Sequence, residues 1–329
     1  MQTFKSFEQI LYTVNDSSFE DIALRLFYEQ ATRNKVYRDF IGYLGVIPAS
    51  IDKIENIPFL PIAFFKSHLV LSGEWPNPQI IFTSSGTTGL TTSRHAVPQL
   101  SFYLENAKRN FEFFFGPLSD YHILALLPSY LEREGSSLIS MVNYFIKESK
   151  SGHAGFYLNN DESLLKKIQF LKNDNRKVLF LGVSFALLEL AEKYEADLSH
   201  CLIMETGGMK GRRKELTREE LHEFLQKRFN VKVIHSEYGM TELMSQAYSL
   251  GNGLFRSPNW MKVLVRDVND PFKIEQVGKT GGINIIDLAN IYSCAFIETQ
   301  DLGKALQNGS FEILGRFDNS DIRGCNLLV

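Results

Sequence analysis

The chain has 329 residues, 44% hydrophobic and 22% charged, with a net charge of −3, proportions that exclude disorder, collagen-like repeats and a long coiled coil and leave no electrostatic footprint for nucleic acid. Its three widely spaced cysteines, Cys201, Cys294 and Cys325, suggest neither a disulfide framework nor a zinc site. The N-terminus meets acidic residues too early for a signal peptide and no apolar run is long enough to span a membrane, so a reducing cytoplasm is expected.

Phe19, Ile22, Ala23, Leu26 and Phe27 recur at helical spacing, with Asp16, Ser17 and Ser18 as N-cap candidates, and residues 1–56 are expected to form a helical segment packed on the main body. Pro58 and Pro61 then forbid a regular helix, so residues 57–68 are predicted to cross in extended form. Residues 122–127 and 178–181 read as buried strands, the second feeding a helix through Phe185, Leu188, Leu190 and Ala191. The clearest unit is a strand at 201–204, a Thr217-Arg-Glu-Glu220 capping box, a helix over 221–229 and a strand at 231–234. It is a β-α-β unit and implies a parallel sheet. From about residue 255 short runs such as 282–287 and 294–298 predict a β-rich closing segment.

Ile80-Ile-Phe-Thr-Ser-Ser-Gly-Thr-Thr-Gly89 is an apolar strand running into hydroxyl residues punctuated by two glycines. Glycine lets the backbone approach a phosphate, free N–H groups form an anion nest, and small hydroxyls donate to phosphate oxygens; a polar hairpin turn has the same composition. No Gly-Lys-Ser/Thr follows, so this is not a kinase-type P-loop. His235-Ser-Glu-Tyr-Gly-Met-Thr-Glu242 comes directly after the predicted strand at 231–234, where open α/β sheets place ligands. Glu242 suits Mg²⁺, Thr241 a phosphate oxygen and Tyr238 a planar base, although Thr241 or Glu242 can equally cap a strand-to-helix turn. Thr206-Gly-Gly-Met-Lys-Gly211 and Gln300-Asp-Leu-Gly303, the latter followed by Gly315-Arg-Phe-Asp318, are individually weak.

In this order the set resembles the adenylate-forming superfamily of acyl-CoA ligases, peptide-synthetase adenylation domains and luciferases. The resemblance implies an α/β fold, the large N-terminal domain of those enzymes, with parallel and mixed sheets, flanking helices and a β-rich closing segment. An adenylation core would occupy 57–315 and a hinge remnant and tail 316–329. ATP and Mg²⁺ are the implied cofactors and a carboxylic acid the implied substrate. By the same resemblance Thr83, Ser84, Ser85, Gly86, Thr87, Thr88 and Gly89 form the triphosphate loop, Gly207 and Gly208 line the adenine, and Tyr238 stacks on it beside Gly239. Thr241 would touch the α-phosphate, Glu242 the metal, and Asp301 the ribose hydroxyls with help from Arg316, while Asp318 falls at a hinge.

Within the superfamily, Phe59-Leu-Pro-Ile-Ala-Phe-Phe-Lys66, the Thr206–Gly211 turn and the ending Asp321-Ile-Arg-Gly-Cys-Asn-Leu-Leu-Val329 are most similar to the acyl-protein synthetases of bacterial bioluminescence, and next to phenylacetate-CoA ligases. The first implies transfer of the acyl group to Cys325, beside Gly324, and then to a reductase or acyl-carrier partner; the second implies CoA as acceptor. A small buried residue in an apolar tail is the other reading of Cys325, and a nucleotide-binding subunit without catalysis is a third reading of the chain. Leu90-Thr-Thr-Ser-Arg94 stands where the superfamily has proline-lysine-glycine, leaving Arg94 or Lys210 for any cationic role. The small C-terminal domain with the adenylation lysine is expected to be absent, since the chain stops just past the hinge motif. Residues 138–145, after Pro128-Ser-Tyr-Leu-Glu-Arg-Glu-Gly-Ser-Ser137, offer an apolar wall for an apolar acid, or plain core.

Overall fold

The computed structural model describes residues 2–75, 77–84, 92–128, 135–158, 162–207 and 216–317. In chain order they form α1 (Gln2–Ile10), α2 (Asp16–Arg33), α3 (Lys35–Tyr43), β1 (Leu60–Pro61), α4 (Phe64–Ser67), β2 (Ile80–Thr83), β3 (Arg94–Val97), α5 (Leu100–Phe115), β4 (Tyr121–Leu126), α6 (Ser137–Ser149), β5 (Gly155–Tyr157), α7 (Glu162–Phe170), β6 (Lys177–Val183), α8 (Ser184–Lys193) and β7 (Cys201–Thr206). There follow α9 (Arg218–Phe229), β8 (Ile234–Tyr238), β9 (Ala247–Ser249), β10 (Leu254–Arg256), β11 (Met261–Arg266), β12 (Thr280–Asp287), β13 (Phe296–Ala305) and β14 (Phe311–Arg316). The chain divides into two compact units, one of Met1–Ile81, Ser85–Pro98 and Arg256–Val329 and one of Phe82–Ser84 and Gln99–Phe255.

In the first unit, helix α2 buries Phe19, Ile22, Ala23, Leu26 and Phe27, the stripe its sequence predicts. Its N-cap is Asn15, one residue before the predicted candidates: Asn15 Oδ1 accepts from the Ser17 and Ser18 amides at 3.0 and 3.2 Å, and Ser18 Oγ accepts from the Asn15 amide at 3.0 Å. Asparagine serves because its amide oxygen satisfies two otherwise unpaired helix donors at once. Further along α2, buried Gln30 donates to Asn290 and Ile291 carbonyls at 2.9 and 3.0 Å and accepts from the Ala295 amide at 2.9 Å. The crossing predicted over 57–68 is extended only at its start. Leu60 and Pro61 pair in parallel with Ile297 and Glu298 of β13, and Tyr37 donates to the Pro58 carbonyl at 2.6 Å. Phe64–Ser67 then turn helical, because Pro61 restricts only itself and the residue before it. Strands β11, β12, β13 and β14 form the antiparallel closing segment, packed near a cluster in which Phe296 meets Phe27, Tyr37 and Phe59.

The second unit is built on the order β9-β8-β7-β6-β4-β5, parallel throughout except for β9. Strands β4 and β6 are apolar and buried on both faces, as strands sandwiched between helices must be. The Thr217 capping box forms, with Glu220 accepting from the Thr217 amide at 2.8 Å and Thr217 Oγ1 from the Glu220 amide at 3.2 Å. The strand predicted at 231–234 lies three residues later. Asn230 closes α9 in a left-handed conformation and the Val231 amide still bonds back to Gln226 at 3.1 Å, so pairing with β7 begins only at Ile203 and Ile234. His235, Ser236, Glu237 and Tyr238 are therefore strand residues and not the loop the sequence predicts. Together the units have the α/β architecture of the resemblance, mixed sheets with flanking helices and a β-rich close.

Candidate functional site

In the second unit the adjacent strands β7 and β8 end side by side, with Glu205 opposite Ser236 and Thr206 opposite Glu237. Side chains alternate across a strand, so Glu205 and Ser236 share one face while Thr206 and Glu237 share the other. The chain after β7 reaches Gly207 in a left-handed conformation, φ +76°, and the chain after β8 runs through Gly239 to Thr241 and Glu242. Gly207 and Gly239 are exposed, whereas Tyr238 and Glu242 are buried. A Cβ at Gly239 would overlap Glu237 Oε1 and approach Gln246 Cγ to 3.3 Å, so a larger residue there would have to displace the Glu237 carboxylate.

Glu205 is buried among donors from helices α8 and α9. Ser184 Oγ lies 2.7 Å from its carboxylate and also reaches the Gly207 carbonyl, while Arg218 Nε and His222 Nε2 stand at 3.5 and 3.6 Å. Burial opposes the Glu205 charge, but the His222, Ser236 and Ser184 hydrogen bonds and the Arg218 charge outweigh it and hold the carboxyl below its ordinary value. The single Ser184 hydroxyl proton is thus shared between the Glu205 carboxylate and the carbonyl of the glycine turn. On the opposite face Glu237 accepts from the Thr206 hydroxyl. Burial pushes its carboxyl up to about 7, against the pull of Thr206 and with the Glu205 charge adding to the rise. Two neighbouring glutamates therefore differ in charge near neutrality, one ionised and one half protonated.

The segment after Glu242 is clipped to helix α5. Asn106 Nδ2 donates to the Met244 carbonyl at 2.8 Å and Asn110 Nδ2 to the Gln246 carbonyl at 2.6 Å, the two asparagines standing one helical turn apart. Tyr238 packs its ring 5.9 Å from Phe255, over which the Arg218 guanidinium lies at 4.9 Å. At the root of the hydroxyl-rich loop, Phe82 packs edge-on to Tyr103 with centroids 4.8 Å apart and the Thr83 amide bonds the Gly135 carbonyl at 2.8 Å. Thr83 and Ser84 are half-buried. Ser85, Gly86, Thr87, Thr88, Gly89, Gly208, Lys210, Asp318 and Cys325 lie outside the described residues, as does most of the stretch between Pro128 and Ser137. Of residues 138–145, Met141, Val142 and Phe145 are core side chains of α6.

Asp301 and Arg316 belong to the first unit, where they face each other across β13 and β14 and Arg316 Nε donates to Asp301 Oδ1 at 3.1 Å. Arg94, at the start of β3, is exposed. A Mg²⁺ ion was implied for Glu242. Among the described residues no three His, Cys, Asp or Glu gather as a cation cage. Mg²⁺ needs none when one carboxylate is completed by phosphate oxygens and water, so a single buried Glu242 fits that donor set.

Sequence reasoning missed Ser184, Glu205, His222, Glu237, Asn106 and Asn110. Glu205 was visible as a charge near the end of an apolar strand, and the asparagines as polar residues four apart among Tyr103, Ala107 and Phe111, but the partners of these groups lie 13 to 139 residues away. Nor is any helix among the described residues long and apolar enough to cross a membrane.

No protein-family model matches the sequence, and no curated protein does. Solved structures do match its fold. An open conformation of 2-hydroxyisobutyryl-CoA ligase, in complex with 2-HIB-AMP and CoA, aligns with a TM-score of 0.64 and 12% identity over 92% of this chain and 70% of its own. The same ligase in its thioesterification state aligns at 0.63 and 14% over 94% and 71%. ATP-bound MatB from Rhodopseudomonas palustris aligns at 0.53 and 17% over 72% of this chain and 47% of its own, so the chain spans about half the length of MatB. The fold is thus one found among acyl-CoA ligases.

Proposed function

We propose that this protein activates a carboxylic acid with ATP, forming an acyl-adenylate, and transfers the acyl group to a thiol. The observation that carries the reading is the convergence of Thr206-Gly207 and Tyr238-Gly-Met-Thr-Glu242 at the carboxyl ends of adjacent parallel strands. That edge is where open α/β sheets bind nucleotides, and the fold is shared with a ligase solved with ATP and another solved with an acyl-AMP. In the first step a carboxylate oxygen bonds the α-phosphorus, the bond to the β-phosphate oxygen breaks, and pyrophosphate leaves. In the second a thiolate bonds the acyl carbon, the bond to the phosphate oxygen breaks, and AMP leaves.

Within this reading Thr83 and Ser84 begin the triphosphate loop, Gly207 lies against adenine with Tyr238, and Thr241 donates to the α-phosphate. Asp301, held by Arg316, takes the ribose hydroxyls. Mg²⁺ at Glu242 would neutralise phosphate charge. The chain's own contribution is to hold these groups in place: Ser184 and Glu205 support the Gly207 turn, and Asn106 and Asn110 hold the backbone beyond Glu242.

For the thiol, burial counts against both cysteines among the described residues. It pushes Cys294 up to about 12 and, with Asp197 adding to the effect, Cys201 to about 12, so neither supplies appreciable thiolate at neutral pH. Cys325 is the acceptor we favour, with a reductase or carrier protein as onward partner. CoA is the second reading, favoured by the two ligase structures that contain it. Incubation with MgATP and a panel of carboxylic acids, read by mass spectrometry for acyl-AMP, tests the first step; no acid-dependent pyrophosphate release across the panel defeats it. A labelled acid should leave hydroxylamine-sensitive label on the wild type, Cys201→Ser and Cys294→Ser but not on Cys325→Ser. Label retained by Cys325→Ser removes that cysteine as acceptor, and acyl-CoA appearing only when CoA is added selects the second reading.

A further inference from the structure

Antiparallel pairing of β12 with β13 is interrupted: Gly282 faces Leu302 and Asn284 faces Glu298, so Ile283 alone stands opposite Thr299, Gln300 and Asp301. Three residues against one leave ladder groups without their usual partners. The side chain of Arg266, the last residue of β11 and 6% exposed, fills that gap. Its Nη1 donates to the Ile283 carbonyl and to Asn284 Oδ1, both at 2.9 Å, and its Nη2 to the Thr299 carbonyl at 2.8 Å, with Glu298 Oε1 at 3.5 Å. Thr299 Oγ1 donates to the Ile283 carbonyl at 2.8 Å and accepts the Asp301 amide at 3.1 Å. The Gln300 carbonyl is taken by the Phe317 amide at 2.8 Å, and the guanidinium lies 5.4 Å from the Phe317 ring. A Cβ at Gly282 would overlap the guanidinium, so glycine leaves the space that Arg266 occupies.

We infer that Arg266, acting through Thr299, is a positioning residue that sets the backbone of Asp301 for ribose binding. The inference rests on the reading of Asp301 as the ribose ligand. Only a planar fork with several donors spans acceptors on two strands while remaining buried, and a lysine offers no such fork. The relay fixes Asp301 from its amide side while Arg316 holds its carboxylate, so the aspartate is placed before nucleotide arrives and less ordering accompanies binding.

Calorimetric binding of ATP and of 2′,3′-dideoxy-ATP, each with Mg²⁺ and the full chain, tests this without knowing the acid. The wild type should favour ATP by about tenfold, and Asp301→Ala should abolish that preference. Thr299→Val, which removes one hydroxyl at nearly constant volume, and Arg266→Lys should each reduce the preference at least threefold, and Thr299→Ser should restore it. Thr299→Val should add nothing in the Asp301→Ala background. A general loss of packing weakens both nucleotides alike and leaves the ratio intact. If Asp301→Ala loses the preference while Thr299→Val and Arg266→Lys keep it, the relay is wrong and the ribose ligand stands. No preference in the wild type, or no ATP binding, overturns the ribose reading and the relay with it. Should Arg266→Lys fail to fold, the Thr299 series decides.

Discussion

Replacing Glu237 by glutamine should change how the stability of this protein depends on pH. In the folded chain burial carries this carboxyl from its ordinary value of 4.5 up to about 7. Below pH 4.5 the folded and unfolded chains both hold the proton. Between 4.5 and 7 the folded chain retains a proton that the unfolded chain has released, so stability falls as pH rises, and above 7 the full loss remains. The shift corresponds to about 3 kcal/mol. Glutamine has nearly the same shape and no titration, and Thr206 Oγ1 can donate to its amide oxygen as it does to the carboxylate. Urea midpoints of both proteins, followed from pH 4.5 to 8, give the difference between them, in which histidines and surface carboxylates cancel. Glutamine minus wild type should rise by about 3 kcal/mol across this window. A difference that stays flat to within about 0.5 kcal/mol refutes the argument that burial governs this site. Thr206→Val removes the hydrogen bond that draws the carboxyl down and should extend the fall in stability to higher pH, its onset near 4.5 unchanged.

Glu242→Gln should abolish Mg²⁺-dependent pyrophosphate release while circular dichroism and melting stay near wild type, and unchanged release would remove Glu242 from the metal site. Asn110→Ala leaves the Gln246 carbonyl without its donor at a buried position and should cost about 1 to 3 kcal/mol in urea unfolding; a change below about 0.5 kcal/mol shows that the clip holds nothing. Cys294 should resist iodoacetamide at pH 7.5 in native protein and react fully in guanidinium, as read by peptide mass; rapid native alkylation contradicts the burial that pushes its thiol up to about 12.

Where local chemistry and global packing agree, the sequence is readable. The α2 stripe, the Thr217 capping box and the apolar strands β4, β6 and β7 each follow from residues within one turn or one strand. The start of β8 is hidden for the opposite reason: Val231 and Val233 are as strand-like as Ile234, and only the end of α9 and the position of Ile203 on β7 decide where pairing begins. The same division runs through the candidate site. Gly207, Gly239, Thr241 and Glu242, which the proposed function reads as ligands, stand in two short runs that the sequence displays. What holds them is not so displayed, since Ser184, His222, Asn106 and Asn110 acquire meaning only when separate elements meet. Arg266 is the extreme case. Closing the run Met261-Lys-Val-Leu-Val265, it reads as the charged, solvated end of a strand, and nothing nearby predicts acceptors 17 to 33 residues on. The bulge that needs it arises from the mismatch of two later strands, so its partners are set by register and not by composition. A buried charge among backbone carbonyls is therefore the sign to seek when a motif is legible but its support is not, because such a charge persists only where neutral groups cannot reach every acceptor.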